Sequence, residues 1–329
     1  MSIKNILSNL SELIFGVPQG SVLGPLIFCI YTLPICSILR HHNIQYSIYA
    51  DDTQLYCSFD ADGATEALDA IMKCLSDIRS WMVRNKLKLN DDKTEFLVMS
   101  SRKASATFNC SVKIGDTSVS PSTSCRNLGV IFDRNIALDK HISSVCRSTL
   151  YHLRSIGSIR YLITQEAAAQ LVHSLVTSRL DYCNSLLYGL PDSLLSRLQR
   201  VQNVAARIVT RAKKFDHMQP ILRDLHWLPV KYRIVFKVLL LTYRALHGTA
   251  PAYLAELLSS YHQTRTLRSS SQMLLCVPKT KLKTYGQRSF EYAAANEWNS
   301  LPLEIKTSSS VEIFKIKLKT HLFKLYFND

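Results

Sequence analysis

Apolar residues at Leu68, Ile71, Met72, Leu75, Ile78, Trp81 and Met82 recur at intervals of three and four. That spacing predicts an amphipathic helix over 66–88 with one stripe laid against a sheet. Before it, residues 45–49 and 54–59 are β-prone and flank Ala50-Asp51-Asp52-Thr53, a hairpin with two adjacent carboxylates at its tip. Further strands are expected at 95–100, 107–114 and 127–133, separated by the polar loops 101–106 and 115–124, in a sheet that is mainly antiparallel. Beyond Asp133 the period changes to helical, over 138–154, 165–178, 194–214, 230–247, 252–260, 286–299 and 311–326. Ser309 followed by Glu312 forms a capping box before the last of these, Gly248 with Pro251 stops the helix ending at His247, and polar 263–272 reads as a flexible connection. No internal repeat is present. The pattern as a whole is α+β, a sheet-bearing first part followed by a mostly α-helical one.

The run 22–39 carries no charge over 18 residues, the length at which a membrane span enters consideration. Pro25 and Pro34 interrupt it and Gly24, Thr32 and Ser37 dilute it, so the expectation is a helix buried in a protein core. Residues 1–15 lack a basic start, a long apolar stretch and a small-residue cleavage site, which predicts an intracellular protein, nuclear or cytoplasmic, that is not secreted. The nine cysteines are odd in number and irregular in spacing, which fits neither a disulfide framework nor a zinc site.

Charge adds a division that hydropathy does not. Residues 1–133 hold 12 basic and 13 acidic side chains, net −1, whereas 134–329 hold 28 and 12, net +16. A polyanion-binding region beside a neutral one has that distribution, because phosphate neutralisation supplies most sequence-independent nucleic-acid affinity; an ordinary basic surface is the alternative. On the helix 194–214, Leu194, Leu198, Val201, Ala205, Ile208 and Val209 fall on one side, while Arg197, Arg200, Arg207, Arg211 and Lys214 lie largely on the other. Five like charges without acidic partners nearby in sequence predict a nucleic-acid-binding face, against the alternative of a solvated outer face.

Two adjacent Asp are poor β-formers and repel each other, so their placement between apolar strands calls for a chemical reason. A divalent cation is one: Mg²⁺ prefers carboxylate oxygens together with water and phosphate. The upstream run Gly16-Val17-Pro18-Gln19-Gly20-Ser21-Val22-Leu23-Gly24-Pro25, followed by Tyr49-Ala50-Asp51-Asp52, resembles the reverse transcriptases of non-LTR, LINE-type (jockey-like) retrotransposons. Asn85-Lys86-Leu87-Lys88-Leu89-Asn90 with Lys93-Thr94-Glu95 is similar to the next palm motif of that family, and Asn127-Leu128-Gly129-Val130-Ile131-Phe132-Asp133 to its primer-grip strand. The runs RLQRVQNVAARIV, LHWLPVKYRIVFK and WNSLPLEI are similar to its C-terminal helical region.

The resemblance implies a partial polymerase palm over 1–133, a basic thumb-like helical region over 134–262 and a C-terminal helical region over 263–329. It implies RNA-directed DNA synthesis by two metal ions, Mg²⁺ or Mn²⁺, with an RNA template, a DNA primer and deoxynucleoside triphosphates as partners, no membrane and no disulfide partner. Asp51 and Asp52 are then the catalytic metal ligands; Gln19, Gly20, Tyr49, Ala50 and Lys93 lie at the nucleotide; and Leu128, Gly129 and Val130 form the primer grip. The sequence departs from the family at one point. Two-metal sites need a further aspartate on a palm strand several tens of residues before the Gly16 loop, and the 15 residues preceding Gly16 contain no Asp. The chain by itself is therefore expected to hold Mg²⁺ weakly and not to polymerise. The alternatives are a non-catalytic RNA- or DNA-binding remnant and a group II intron maturase-like protein, which shares the alanine-containing hairpin.

Overall fold

In a computed structural model of the chain, residues 2–3, 6–7, 20–60, 63–100, 111–114, 117–261 and 272–327 are described. The loop 101–106, most of the connection 263–272 and the stretch from Gly16 to Gln19 lie outside them. Contacts divide the chain into two compact units, 1–98 with 102–123 and 99–101 with 124–329.

In the first unit, β1 (Ser2–Ile3) pairs with β2 (Ile6–Leu7), and α1 (Gly24–Thr32) and α2 (Pro34–His41) follow. The helices part at Leu33 because Pro34 lacks the N–H that a continuous helix would use. Then come β3 (Gln45–Tyr49), β4 (Asp52–Tyr56) and α3 (Ala64–Arg84). Alternation along β3 and its register with β4 set the packing of the hairpin. Tyr46, Ile48 and Leu55 turn toward a core of Ile35, Leu39, Ile44, Cys74 and Ile78 supplied by α2 and α3, and Gln45, Ser47, Tyr49, Asp52 and Tyr56 face outward. The stripe expected on α3 does cover strands. The strand expected over 95–100 is reduced to a single parallel bridge between Phe96 and Pro121, and β5 (Val112–Ile114) pairs with β6 (Thr117–Val119).

The core helix expected over 22–39 is a correction. Only its second half enters the core, through Ile35 and Leu39; Val22 is 94% exposed, and Leu23, Leu26, Ile30 and Leu33 are also exposed. α1 is tied to α3 through Tyr31, whose hydroxyl donates to the Asn85 carbonyl at 2.8 Å and whose ring lies 6.3 Å from that of Trp81. By length and composition alone, Gly24–His41 is long and apolar enough to cross a membrane.

The second unit begins with the hairpin β7 (Ser124–Asn127) and β8 (Val130–Asp133). The single strand expected over 127–133 is thus a strand with a turn before it. Leu128 (φ 42°) and Gly129 (φ 85°) are both left-handed, the backbone that a two-residue hairpin turn requires. The Asp133 carboxylate accepts from the N–H groups of Asn135, Ala137 and Leu138 at 3.1, 3.0 and 2.7 Å, closing the loop that starts the next helix. That helix, α4 (Asp139–Ser158), leads to α5 (Gln165–Val172), a π turn (His173–Thr177) and α6 (Ser178–Asp181). There follow α7 (Asp192–Thr210), α8 (Met218–Asp224), α9 (Val230–Leu246), α10 (Ala252–Ala255), α11 (Phe290–Ser300), α12 (Leu303–Lys306) and α13 (Val311–Phe327). The cap of α13 is also corrected: the Ser310 hydroxyl, one residue later than expected, accepts from the Ile313 N–H at 3.2 Å.

Two clusters make this unit's core. One joins α4, α5, α7 and the start of α9 around Ile142, Leu153, Val172, Leu198, Val201 and Val209; the other joins α9, α11 and α13 around Tyr243, Trp298 and Phe314. His141 is buried beneath β8, and its Nδ1 accepts from the Ile131 N–H at 3.4 Å. Burial, and then the nearby Arg126, push its pKa below the ordinary value. The neutral folded imidazole must take a proton on unfolding in acid, so its contribution is fully present above about pH 6.5 and is lost as pH falls from there toward the depressed folded value. Unfolding free energies from urea titrations between pH 8 and 5 are expected to drop below about pH 6.5 by up to about 1.4 kcal/mol per pH unit for this one group, and less steeply in His141→Asn.

Candidate active site and nucleic-acid interface

The β3–β4 register pairs Tyr49 with Asp52, which leaves Ala50 and Asp51 as a two-residue turn. Ala50 sits at φ 54°, where an L residue is strained by about 1–2 kcal/mol and glycine is the relaxed choice. The strain lies beside the carboxylate pair. Asp51 stands at the tip and Asp52 begins β4 on the outward face beside Tyr49, which is 67% exposed. Among the described residues neither carboxylate is drawn into an ion pair or a side-chain hydrogen bond, so both keep their oxygens for a hard cation. Among the same residues no third His, Cys, Asp or Glu completes a metal cluster with them. The donor set fits Mg²⁺ or Mn²⁺ in kind and falls short of it in number.

Gln19 lies outside the described residues, and Gly20, at φ 92°, makes the exposed turn before α1. Lys93 is exposed at the end of a 3₁₀ turn (Asp91–Lys93). That turn is fixed by its neighbour Asp91, which accepts from Arg79 of α3 at 2.8 and 3.0 Å.

Leu128, Gly129 and Val130 belong to the second unit. Val130 is buried in its core, while Leu128 and Gly129 form the exposed hairpin tip. What holds that tip has no local signature in the sequence. The Tyr182 hydroxyl donates to the Leu128 carbonyl at 2.6 Å, and a Cβ on Gly129 would come within 3.4 Å of the Tyr182 ring. Tyr182 is set in turn by its neighbour Asp181, which accepts from Arg233 of α9 at 2.6 and 2.9 Å. These partners lie 52 to 54 residues apart, so no local pattern announces them.

α7 buries its expected side, with Leu198, Val201, Ala205 and Val209 all inaccessible. On the opposite face one cation has an acidic partner. Arg197 donates to Asp139 of α4 at 2.6 Å and to the Ser143 hydroxyl at 2.8 Å, so it has an acidic partner and its charge is cancelled locally. Arg200, Arg207 and Arg211 donate to the carbonyls of Ser196, Lys213 and Arg160, partners that leave the positive charge intact. Lys214 lies over the Phe215 ring, 5.4 Å from its centre.

Residues 3–132 match the family model of reverse transcriptases (RNA-dependent DNA polymerases). That stretch is similar to reverse transcriptases. The chain is 25% identical over 218 residues, 64% of its length, to a probable RNA-directed DNA polymerase from transposon X-element of Drosophila melanogaster, covering 23% of that protein. It is 30% identical over 139 residues, 40% of its length, to the RNA-directed DNA polymerase from mobile element jockey of Drosophila funebris, covering 14% of it. The chain is thus similar to RNA-directed DNA polymerases of Drosophila transposable elements. It spans a quarter or less of the length of these relatives, and no solved structure matches it.

Proposed function

We propose that the chain contributes to RNA-directed DNA synthesis: the first unit supplies part of the palm and the second unit a basic surface for the template and primer. The observation that carries the proposal is the exposed Asp51–Asp52 pair on a strained turn at the tip of a packed hairpin, inside the segment that matches reverse transcriptases. Asp51 is the stronger metal ligand because it projects from the turn itself, and Asp52 is the second. A bound divalent cation would supply charge neutralisation at a triphosphate and activation of a primer hydroxyl. Tyr49, on the same outward face as Asp52, offers an aromatic floor for a base or sugar, and Lys93 offers a cation for phosphate. In the second unit, Leu128 and Gly129 at the clamped hairpin tip are proposed to steady a primer end. Arg200, Arg207, Arg211 and Lys214 are proposed to hold the backbone of an RNA or an RNA–DNA hybrid.

Two carboxylates leave most of the coordination of Mg²⁺ to water and phosphate, so binding to the chain is weak without nucleotide. Electron paramagnetic resonance of Mn²⁺ titrated with the full chain is expected to show little binding alone, clear binding once a deoxynucleoside triphosphate is added, and loss of that gain in Asp51→Asn. Equal gain in the variant would refute the assignment. Primer extension on an RNA template by the chain alone is expected to give no product. Incorporation that Asp51→Asn abolishes would show that the described carboxylates suffice.

A further inference from the structure

At one end of the α4–α7 pair, two loops carry large apolar side chains into solvent. Phe215 is 88% exposed, Tyr161 75% and Leu162 69%. Exposed aromatics on a loose loop would mean little, but both of these loops are tied down. Arg160 donates to the carbonyls of Ile208 and Val209 at the end of α7, at 2.7 and 2.8 Å, and to Ile163 at 2.8 Å. Arg211 returns a bond from α7 to the Arg160 carbonyl at 3.0 Å. The second loop closes on itself: the Asp216 carboxylate accepts from the Lys213 N–H at 2.6 Å, and the Asp216 N–H donates to the Lys213 carbonyl at 3.2 Å. That closure puts Lys214 and Phe215 at the corner of a fixed turn. Arg207, bonded to the Lys213 carbonyl at 3.3 Å, braces it from α7.

Folding gains nothing from an aromatic ring held out in this way, since its apolar surface stays in water. Lys214 lies over the Phe215 ring at 5.4 Å, Arg207 and Arg211 donate to the carbonyls of Lys213 and Arg160 in the same two loops, and the Asp216 carboxylate closes the turn on the Lys213 N–H. Rigid aromatic faces among cations fit a polyanion whose rings are unpaired, because bases stack on the aromatics while phosphates meet the Lys and Arg side chains. A duplex hides its base faces and would use the cations alone. A membrane surface calls for a broad apolar helix face, and what α7 presents outward is polar and cationic.

We propose that the Tyr161–Phe215 end of the α4–α7 pair is a stacking platform for a single-stranded stretch of RNA or DNA. The proposal rests on the reading that the basic unit binds nucleic acid, and the test separates the two. Fluorescence anisotropy of the full chain is measured with a labelled single-stranded U12 oligonucleotide and with a 12-base-pair RNA–DNA hybrid. Phe215→Ala and Tyr161→Ala are each expected to weaken single-strand binding about 5- to 150-fold with the salt dependence unchanged, and to leave hybrid binding within twofold. Tyr161→Phe, which keeps the ring, is expected to bind as the parent does. The platform is overturned if both alanine variants bind the single strand as the parent does while hybrid binding persists. It is also overturned if Phe215→Ala loses only an affinity for phosphatidylserine vesicles. If the parent binds neither nucleic acid, the proposed function falls and the platform with it.

Discussion

Raising monovalent salt from 50 to 200 mM is expected to weaken binding of an RNA–DNA hybrid to the chain by about 150-fold. The figure follows from four cations, Arg200, Arg207, Arg211 and Lys214, each neutralising one phosphate and releasing its counterion, which gives a slope of log affinity against log salt near −3.6. Their structural partners decide which residues count. A carbonyl bonded to one guanidinium nitrogen leaves the net charge of Arg207 and Arg211 available, whereas the Asp139 carboxylate cancels that of Arg197. Alanine at any of the four is expected to flatten the slope by about one unit. Arg197→Ala is expected to leave the slope alone and to act on the α4–α7 contact instead, lowering stability by up to about 1 kcal/mol for a pair at this degree of exposure. Anisotropy titrations at four salt concentrations read both quantities. A slope near zero, or one that only Arg197→Ala changes, contradicts this assignment.

Trp298→Ala is expected to destabilise the second unit by about 3–5 kcal/mol. The indole is fully buried on α11, its Nε1 donates to the Met273 carbonyl at 2.8 Å, and its ring centre lies 6.2 Å from Phe314 of α13. Phe314 in turn stacks on Tyr243 of α9 at 4.2 Å, and the Tyr243 hydroxyl donates to the Ser308 carbonyl at 2.6 Å. Removing the indole opens a cavity among three helices and leaves the Met273 carbonyl without its donor, so the transfer loss and the lost hydrogen bond add. Because native domains carry only about 5–15 kcal/mol of net stability, the variant is expected to lie near its unfolding threshold at 37 °C. Urea unfolding followed by tryptophan fluorescence and circular dichroism checks it; a shift under 1 kcal/mol would mean that the α9–α11–α13 cluster does not hold the unit together.

Where local pattern and packing agree, the chain is readable in advance. The bounds of β3, the stripe of α3 and the buried side of α7 all follow from periodicity, because each element meets its partner along a single face. The readings failed where the deciding partner is distant or where one residue adopts unusual backbone. Leu128 looks like a strand residue, and its positive φ together with that of Gly129 turns the start of the 127–133 segment into a hairpin tip, held by a tyrosine 54 residues from Leu128. Asp139, 58 residues before Arg197, removes one charge from a face that sequence shows as uniformly cationic. Apolar composition predicted burial for α1 as well as α2, and composition carries no information on how much surface is available to cover a helix. The carboxylate pair stands out for the opposite reason: two adjacent Asp interrupt a β-prone run, and the structure has them at the turn of the hairpin.

The most direct test of that pair is localised cleavage. With Fe²⁺ in place of Mg²⁺, together with a deoxynucleoside triphosphate, ascorbate and peroxide, hydroxyl radicals cut the backbone beside the bound ion. Cuts are expected within Tyr49–Thr53, suppressed by excess Mg²⁺ and absent in Asp51→Asn. Cuts elsewhere in the chain with this segment intact, or cuts at the hairpin that survive Asp51→Asn, would contradict a role for these carboxylates in holding the metal.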